Sequence, residues 1–190
     1  MLLRHLLSAL TLTVAAAAAM AQDVRLYAPG ETVDPHEVAT ILDQSQAGSA
    51  RIKMRSMRLL DEAGAAASVA AAEAAAQARA KAVALPVQFA FDSSDILPAA
   101  RAQLDALAQG VRLLPATQYV VIEGHTDATG PARYNELLSQ QRAQSVKRYL
   151  VAMHGIDPAR LKTVGLGMYL PLPGHDPRAP ENRRVQFRGE

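Results

Sequence analysis

At 190 residues, 49% of them hydrophobic, the chain has material for one ordinary domain plus extensions and too little for two full domains. A formal net charge of +2 gives no bias toward nucleic acid, and 4% aromatic residues with no Trp argue against a base-stacking platform. The absence of cysteine excludes disulfides, thiolate metal sites and a cysteine nucleophile together.

Residues 1–21 read as a secretory signal peptide: Arg4 and His5 precede an apolar run from Leu6 to Met20, and Ala19-Met20-Ala21 is a small-x-small cleavage site. The run, about 15 residues, falls short of the roughly 20 needed to span a bilayer, so cleavage before Gln22 is expected. Residues 22–48 form a turn-rich N-terminal arm, with Tyr27 to Pro35 as its turn and a short helix from His36 to Gln44, read as a mobile arm or a docking peptide. Residues 49–84 read as a helical linker. Arg51, Arg55 and Arg58 recur at helical spacing as a solvated face, and Ala63 to Ala84 form an alanine-rich spacer with little bulk to bury. Pro86 ends that helix and sets a domain boundary at Leu85-Pro86.

Residues 85–190 alternate element types. Val87, Phe89 and Phe91 form one face of a first strand, and Leu97, Ala100, Leu104, Leu107, Val111 and Leu114 recur at three-and-four spacing around Pro98, which suits a first helical turn. A strand from Tyr119 to His125, a helix from Tyr134 to Met153, and strands from Leu161 to Gly165 and Arg183 to Arg188 follow. This order predicts an α/β sandwich of βαβαβ type, with the helices on one face of a mixed four-stranded sheet. A fragment starting near Ala84 is expected to fold alone.

The candidate site is the junction of the second strand with the second helix, where Glu123-Gly124-His125-Thr126-Asp127-Ala128-Thr129-Gly130 is a Gly-bounded polar loop. Arg142 falls on the row Leu138, Arg142, Val146 of the helix, which is otherwise apolar, so its guanidinium starts at or near the buried face and needs a partner. Asp127 is the nearest candidate in the chain, and Asn135 lies two turns before Arg142 on the same face. Geometry alone leaves two readings open, a structural Asp127–Arg142 salt bridge or a pocket offering both charges to a ligand. On the last strand Arg183 shares its face with Val185 and Phe187, which makes it the better pocket candidate, with Arg184 structural or solvent-facing. His125-x-Asp127 supplies two of the three protein ligands a catalytic zinc wants, and no HExxH or nucleophile elbow is present, so an enzyme is not expected.

Gly124-His125-Thr126-Asp127-x-Thr129-Gly130, Asn135-x-x-Leu138-Ser139-x-x-Arg142-Ala143-x-x-Val146, Gly165-x-Gly167, Asn182-Arg183-Arg184-Val185 and, upstream, Val87-x-Phe89-x-Phe91-Asp92-Ser93 resemble, in order and spacing, the OmpA-like peptidoglycan-binding domain. The resemblance covers roughly Leu85 to Glu190 and departs from the family at Met168-Tyr169-Leu170-Pro171, where an acidic residue usually precedes the proline. It implies a non-catalytic module without cofactor or metal that anchors to peptidoglycan through the diaminopimelate of the stem peptide. Asp127 and Arg142 would be the principal contacts, with Asp92, Ser93, Thr129, Gly130, Asn135 and Arg183 completing the lining. Diaminopimelate ends in a zwitterion, for which Arg142 offers a bidentate fork to the carboxylate and Asp127 an acceptor to the ammonium. The resemblance also implies a periplasmic protein associated with the cell wall or outer membrane, here without the lipid-attachment cysteine of the peptidoglycan-associated lipoproteins. The alternative is a soluble adaptor of a larger envelope or secretion assembly, with residues 22–58 binding an envelope protein partner.

Overall fold

A computed structural model describes residues 23–45, 81–89 and 93–190. The signal peptide, the arginine stripe, most of the alanine spacer, and Phe91 and Asp92 lie outside the described residues.

The elements are β1 (Asp23–Leu26), α1 (residues 35–45), β2 (Lys81–Leu85), α2 (Pro98–Leu113), β3 (Val120–Gly124), α3 (Ala132–His154), β4 (Leu161–Gly165) and β5 (Val185–Gly189). The strands form one mixed sheet in the order β1-β2-β5-β3-β4. β1 runs parallel to β2 and β3 parallel to β4, while β5 is antiparallel to both β2 and β3. Along the strands Val83, Leu85, Val120, Ile122, Val185 and Phe187 alternate onto the face that packs against the helices, as the two-residue period of a strand requires. Leu104, Leu107 and Val111 of α2 and Val146 and Leu150 of α3 meet them in a core without solvent access.

The mixed sheet with helices on one face is the expected arrangement, and β1 adds a fifth strand at its edge. Three differences follow. Residues 81–84, expected at the end of the alanine helix, are strand: once β1 and β5 supply backbone partners on both sides, pairing overrides alanine's intrinsic helix preference. Among the described residues, the predicted first strand at Val87 is represented by an isolated bridge, Phe89 to Ile96.

The third difference concerns the arm. Tyr27, Val33, Val38 and Leu42 are buried members of the main core. The Tyr27 amide continues the ladder to the Ala84 carbonyl at 3.0 Å. Gln118 donates to the Leu42 carbonyl at 3.1 Å, tying α1 to the segment ahead of β3. Tyr27 donates its hydroxyl to Glu37 at 2.8 Å, and desolvation, reinforced by that carboxylate, pushes the phenol up to about 12. Each fully buried Val or Leu contributes about 1.5–3 kcal/mol, so this segment adds several kcal/mol to a domain whose net stability is of order 5–15. Residues 23–45 therefore belong to the fold, and the sheet begins well ahead of Leu85-Pro86.

Glycine decides how α3 sits. A Cβ at Gly124 would lie 2.1 Å from the Ser139 carbonyl oxygen, and one at Gly165 would lie 2.6 Å from the Gln140 amide nitrogen. The helix therefore rests directly on the ends of β3 and β4 through Asn135, Ser139 and Ala143, and its buried stripe continues through Val146 and Leu150. Leu138 and Arg142 fall on the shoulder of that stripe rather than at its centre, because there is no room between the backbones for a long side chain. Gly155, at φ 62°, ends the helix, and its amide bonds back to the last carbonyls.

Candidate functional site

Asp127 lies in the loop between β3 and α3, which is held on several sides. The His125 amide donates to the Arg184 carbonyl at 3.0 Å, that of Thr126 to Gly167 at 2.9 Å and that of Ala128 to Pro177 at 2.9 Å. Asn135, buried at the start of α3, donates its side-chain amide to the Thr129 carbonyl at 2.9 Å. Gly130 turns the chain into the helix at φ 85°. Within this loop the Asp127 Oδ1 accepts the Thr129 amide at 3.1 Å and Oδ2 accepts the Arg183 guanidinium at 2.7 Å. Desolvation pushes the Asp127 carboxyl up, but the bonds from Arg183 and Thr129 and the Arg183 charge outweigh it, so it sits below the usual aspartate value.

Arg183 follows the 3-10 turn Pro180–Asn182, and its amide bonds to the Pro180 carbonyl at 3.0 Å. Asn182, fully buried, fixes this corner: it accepts the Leu172 amide at 2.7 Å and donates to the Asp176 carbonyl at 2.8 Å. Arg184 turns to the opposite side of the chain, where it is 2% exposed and donates to the Gln186 side chain at 3.2 Å and the Leu170 carbonyl at 3.3 Å. Desolvation lowers its guanidinium to about 10 against the opposing pull of Glu123. Glu123, also buried, accepts Gln186 at 3.3 Å and pairs with Arg188 at 3.2 Å. Arg184 is thus structural, one of the two roles anticipated for it.

Of the two readings left open, the structural one required an Asp127–Arg142 salt bridge, whereas Asp127 pairs with Arg183. From its shoulder position Arg142 donates Nε to the Ser93 carbonyl at 3.3 Å and lays its guanidinium over the Phe89 ring, 4.9 Å from the centroid. Arg142 and Arg183 nonetheless line one cleft of about 680 Å³. Its remaining lining is largely apolar, including Tyr27, Pro29, Val87, Phe89 and Leu97. Asp127 joins this cleft through Arg183, and Ser93 does so through Arg142. Asn135, Thr129 and Gly130 shape the loop that aims Asp127, and Asp92 lies outside the described residues. Among the described residues no three His, Asp or Glu side chains group as a metal site, and no helix is long and apolar enough to cross a membrane.

Sequence reasoning missed the cleft's second wall, Leu26 to Glu31. The Pro29-Gly30 signal located a turn there, but its packing against residues far along the chain has no local signature. Asn182 was visible only as part of a motif, and its clamp on the preceding loop was not anticipated.

The family model described as the OmpA family matches residues 88–185. The chain is 42% identical over 102 residues to a peptidoglycan-associated lipoprotein of Pseudomonas aeruginosa, covering 53% of this chain and 59% of that protein. It is likewise 42% identical over 102 residues to an outer membrane protein A of Bordetella avium, covering 52% of this chain and 51% of the relative. A solved peptidoglycan-associated lipoprotein from Burkholderia pseudomallei aligns at 34% identity with a TM-score of 0.47, covering 55% of this chain and 88% of that one. The chain spans 59% and 60% of the length of the two Pseudomonas lipoproteins it matches.

Proposed function

Since the chain belongs to the OmpA family, we propose that it is a non-catalytic periplasmic module that binds peptidoglycan, with the Arg142–Arg183 cleft holding the diaminopimelate of the stem peptide. The observation that carries this reading is the convergence of Arg142 and Arg183 on one cleft, with the Asp127 carboxylate 2.7 Å behind Arg183. The two guanidiniums share the cleft with the carboxylates of Glu31 and Glu181, and Asp127 stands behind Arg183, a mixed-charge arrangement that suits a zwitterionic group. Arg142 offers a planar fork to the distal carboxylate of diaminopimelate. Asp127 is an acceptor for the neighbouring ammonium, and its lowered pKa keeps it ionised at neutral pH. The names of the peptidoglycan-associated lipoproteins among the relatives point the same way.

Binding rather than cleavage fits a site with a cation, an anion and apolar walls but no activated nucleophile. The protein would work at the cell wall or the outer membrane, contributing to envelope integrity. Co-sedimentation of the protein with purified diaminopimelate-type sacculi tests this, with muropeptide profiling of the same mixtures. Retention in the pellet without new muropeptides is the expected result, and either absence from the pellet or new cleavage products rejects it.

A further inference from the structure

We infer that the turn from Ala28 to Glu31 is a preorganised second wall of the cleft, reading the part of a peptide ligand beside its charged residue. This rests on the cleft being the ligand site. The turn lies outside residues 88–185, the stretch matched by the family model, so this wall comes from the chain's own N-terminal segment.

The turn is built to hold one shape. The Glu31 amide closes it on the Ala28 carbonyl at 3.1 Å, with Gly30 at φ 79°, the conformation a type II turn demands at its third position. Gln103 reaches from α2 and donates the same side-chain nitrogen to the Ala28 carbonyl at 2.8 Å and the Glu31 carbonyl at 2.9 Å. The Glu31 carboxylate accepts the Ala28 amide at 2.7 Å and Arg25 at 2.6 Å, and Arg25 in turn lies over the Tyr27 ring and bonds to Glu37 at 3.1 Å. A wall fixed before binding adds affinity because little ordering entropy remains to be lost.

Size and polarity indicate what the wall meets. A cleft of about 680 Å³ falls in the range of roughly 300–1,000 Å³ that holds drug-sized ligands, which leaves room beyond a single amino acid. Away from the two arginines the lining combines the apolar Tyr27, Pro29, Val87 and Leu97, which suit methyl groups and peptide planes, with the polar Gln88, Glu31 and Glu181. The ligand class is therefore a short peptide with a small apolar residue, such as alanine, beside its zwitterionic one.

The test is calorimetric titration with two probes, free meso-diaminopimelate and the tetrapeptide L-Ala-D-Glu-meso-diaminopimelate-D-Ala, read as the ratio of their affinities. Wild-type protein is expected to favour the tetrapeptide at least tenfold. Gln103→Leu keeps the side-chain volume but removes both bonds to the turn, and it should cut that ratio about fivefold. Pro29→Gly, at an exposed position that does not threaten folding, should cut it by a similar factor by restoring freedom to the turn. An unchanged ratio in Pro29→Gly, or equal wild-type affinity for both probes, overturns the wall. Binding of both probes unaffected by Arg142→Ala overturns the underlying assignment of the cleft, a failure distinct from that of the wall.

Discussion

The Arg183 guanidinium donates to the Asp127 carboxylate at 2.7 Å, and the two partners are unequally exposed, with 51% of the Arg183 side chain in solvent and 13% of that of Asp127. The anion is fixed by its loop while the cation rests on it from outside. On the proposed reading, a ligand ammonium approaching Asp127 would meet a preformed acceptor.

Substitution should separate binding from stability. Asp127→Ala and Arg142→Ala are each expected to weaken wall binding by roughly 2–5 kcal/mol, the range for truncating one partner of a charged contact. Breaking a buried pair costs about 3–5 kcal/mol of stability, but Arg183 is half in water and can rehydrate, so Asp127→Ala should cost nearer 1 kcal/mol. Arg142→Ala loses the contact with Phe89, also about 1 kcal/mol. Chemical denaturation beside sacculus pull-down checks both numbers, and a stability loss as large as the binding loss would favour a purely structural pair.

The lowered Asp127 pKa fixes the sign of a pH effect. Because the folded value lies below that of the unfolded chain, near 3.9, the pair contributes stability that is fully present above about pH 4 and is lost as pH falls through the folded value. The stability difference between wild type and Asp127→Asn should accordingly be constant from about pH 5 to 7 and shrink in more acidic solution. Urea unfolding across that range measures it, and a difference that grows on acidification would reverse the assignment.

Gly124→Ala and Gly165→Ala should damage the site from a distance. Each new methyl group meets α3 backbone rather than a flexible side chain, so the helix carrying Arg142 must shift. A cost at the upper end of the 1–3 kcal/mol typical of overpacking is expected, together with weakened ligand binding. Thermal melts and titrations of both variants test this, with Gly174→Ala as a control, since its added Cβ meets nothing within 4 Å and its φ of 77° brings only local strain.

Much of this arrangement was legible in the sequence, and the exceptions share a cause. The periodicity of α2 and α3 and the apolar run that opens β3 mark their own positions because each is buried in the core. Alternation on the last strand separated Arg183 from Arg184. By contrast, Lys81 to Ala84 looks helical until β1 and β5 flank it, and Arg142 looks centred on a buried row until Gly124 and Gly165 bring the backbones together. In both cases the deciding partner lies far along the chain.

The incorporation of Tyr27, Val38 and Leu42 into the core changes the expectation for truncation. A fragment beginning at Leu85 lacks β1, α1 and all but the last residue of β2, and exposes the apolar surface they cover. It should unfold at markedly lower denaturant than a chain beginning at Gln22, or fail to fold. Equal midpoints for the two would place the stabilising core wholly after Leu85.

The most direct measurement of the central claim compares soluble muropeptides carrying diaminopimelate with otherwise identical ones carrying lysine, titrated calorimetrically into wild-type protein and Arg142→Ala. Lysine lacks the distal carboxylate and so leaves Arg142 without its ligand contact. Wild type should bind the diaminopimelate form at least tenfold more tightly, about 1.4 kcal/mol, and Arg142→Ala should erase that preference. Equal affinity of the wild type for both muropeptides, or a preference that survives in Arg142→Ala, would contradict the account.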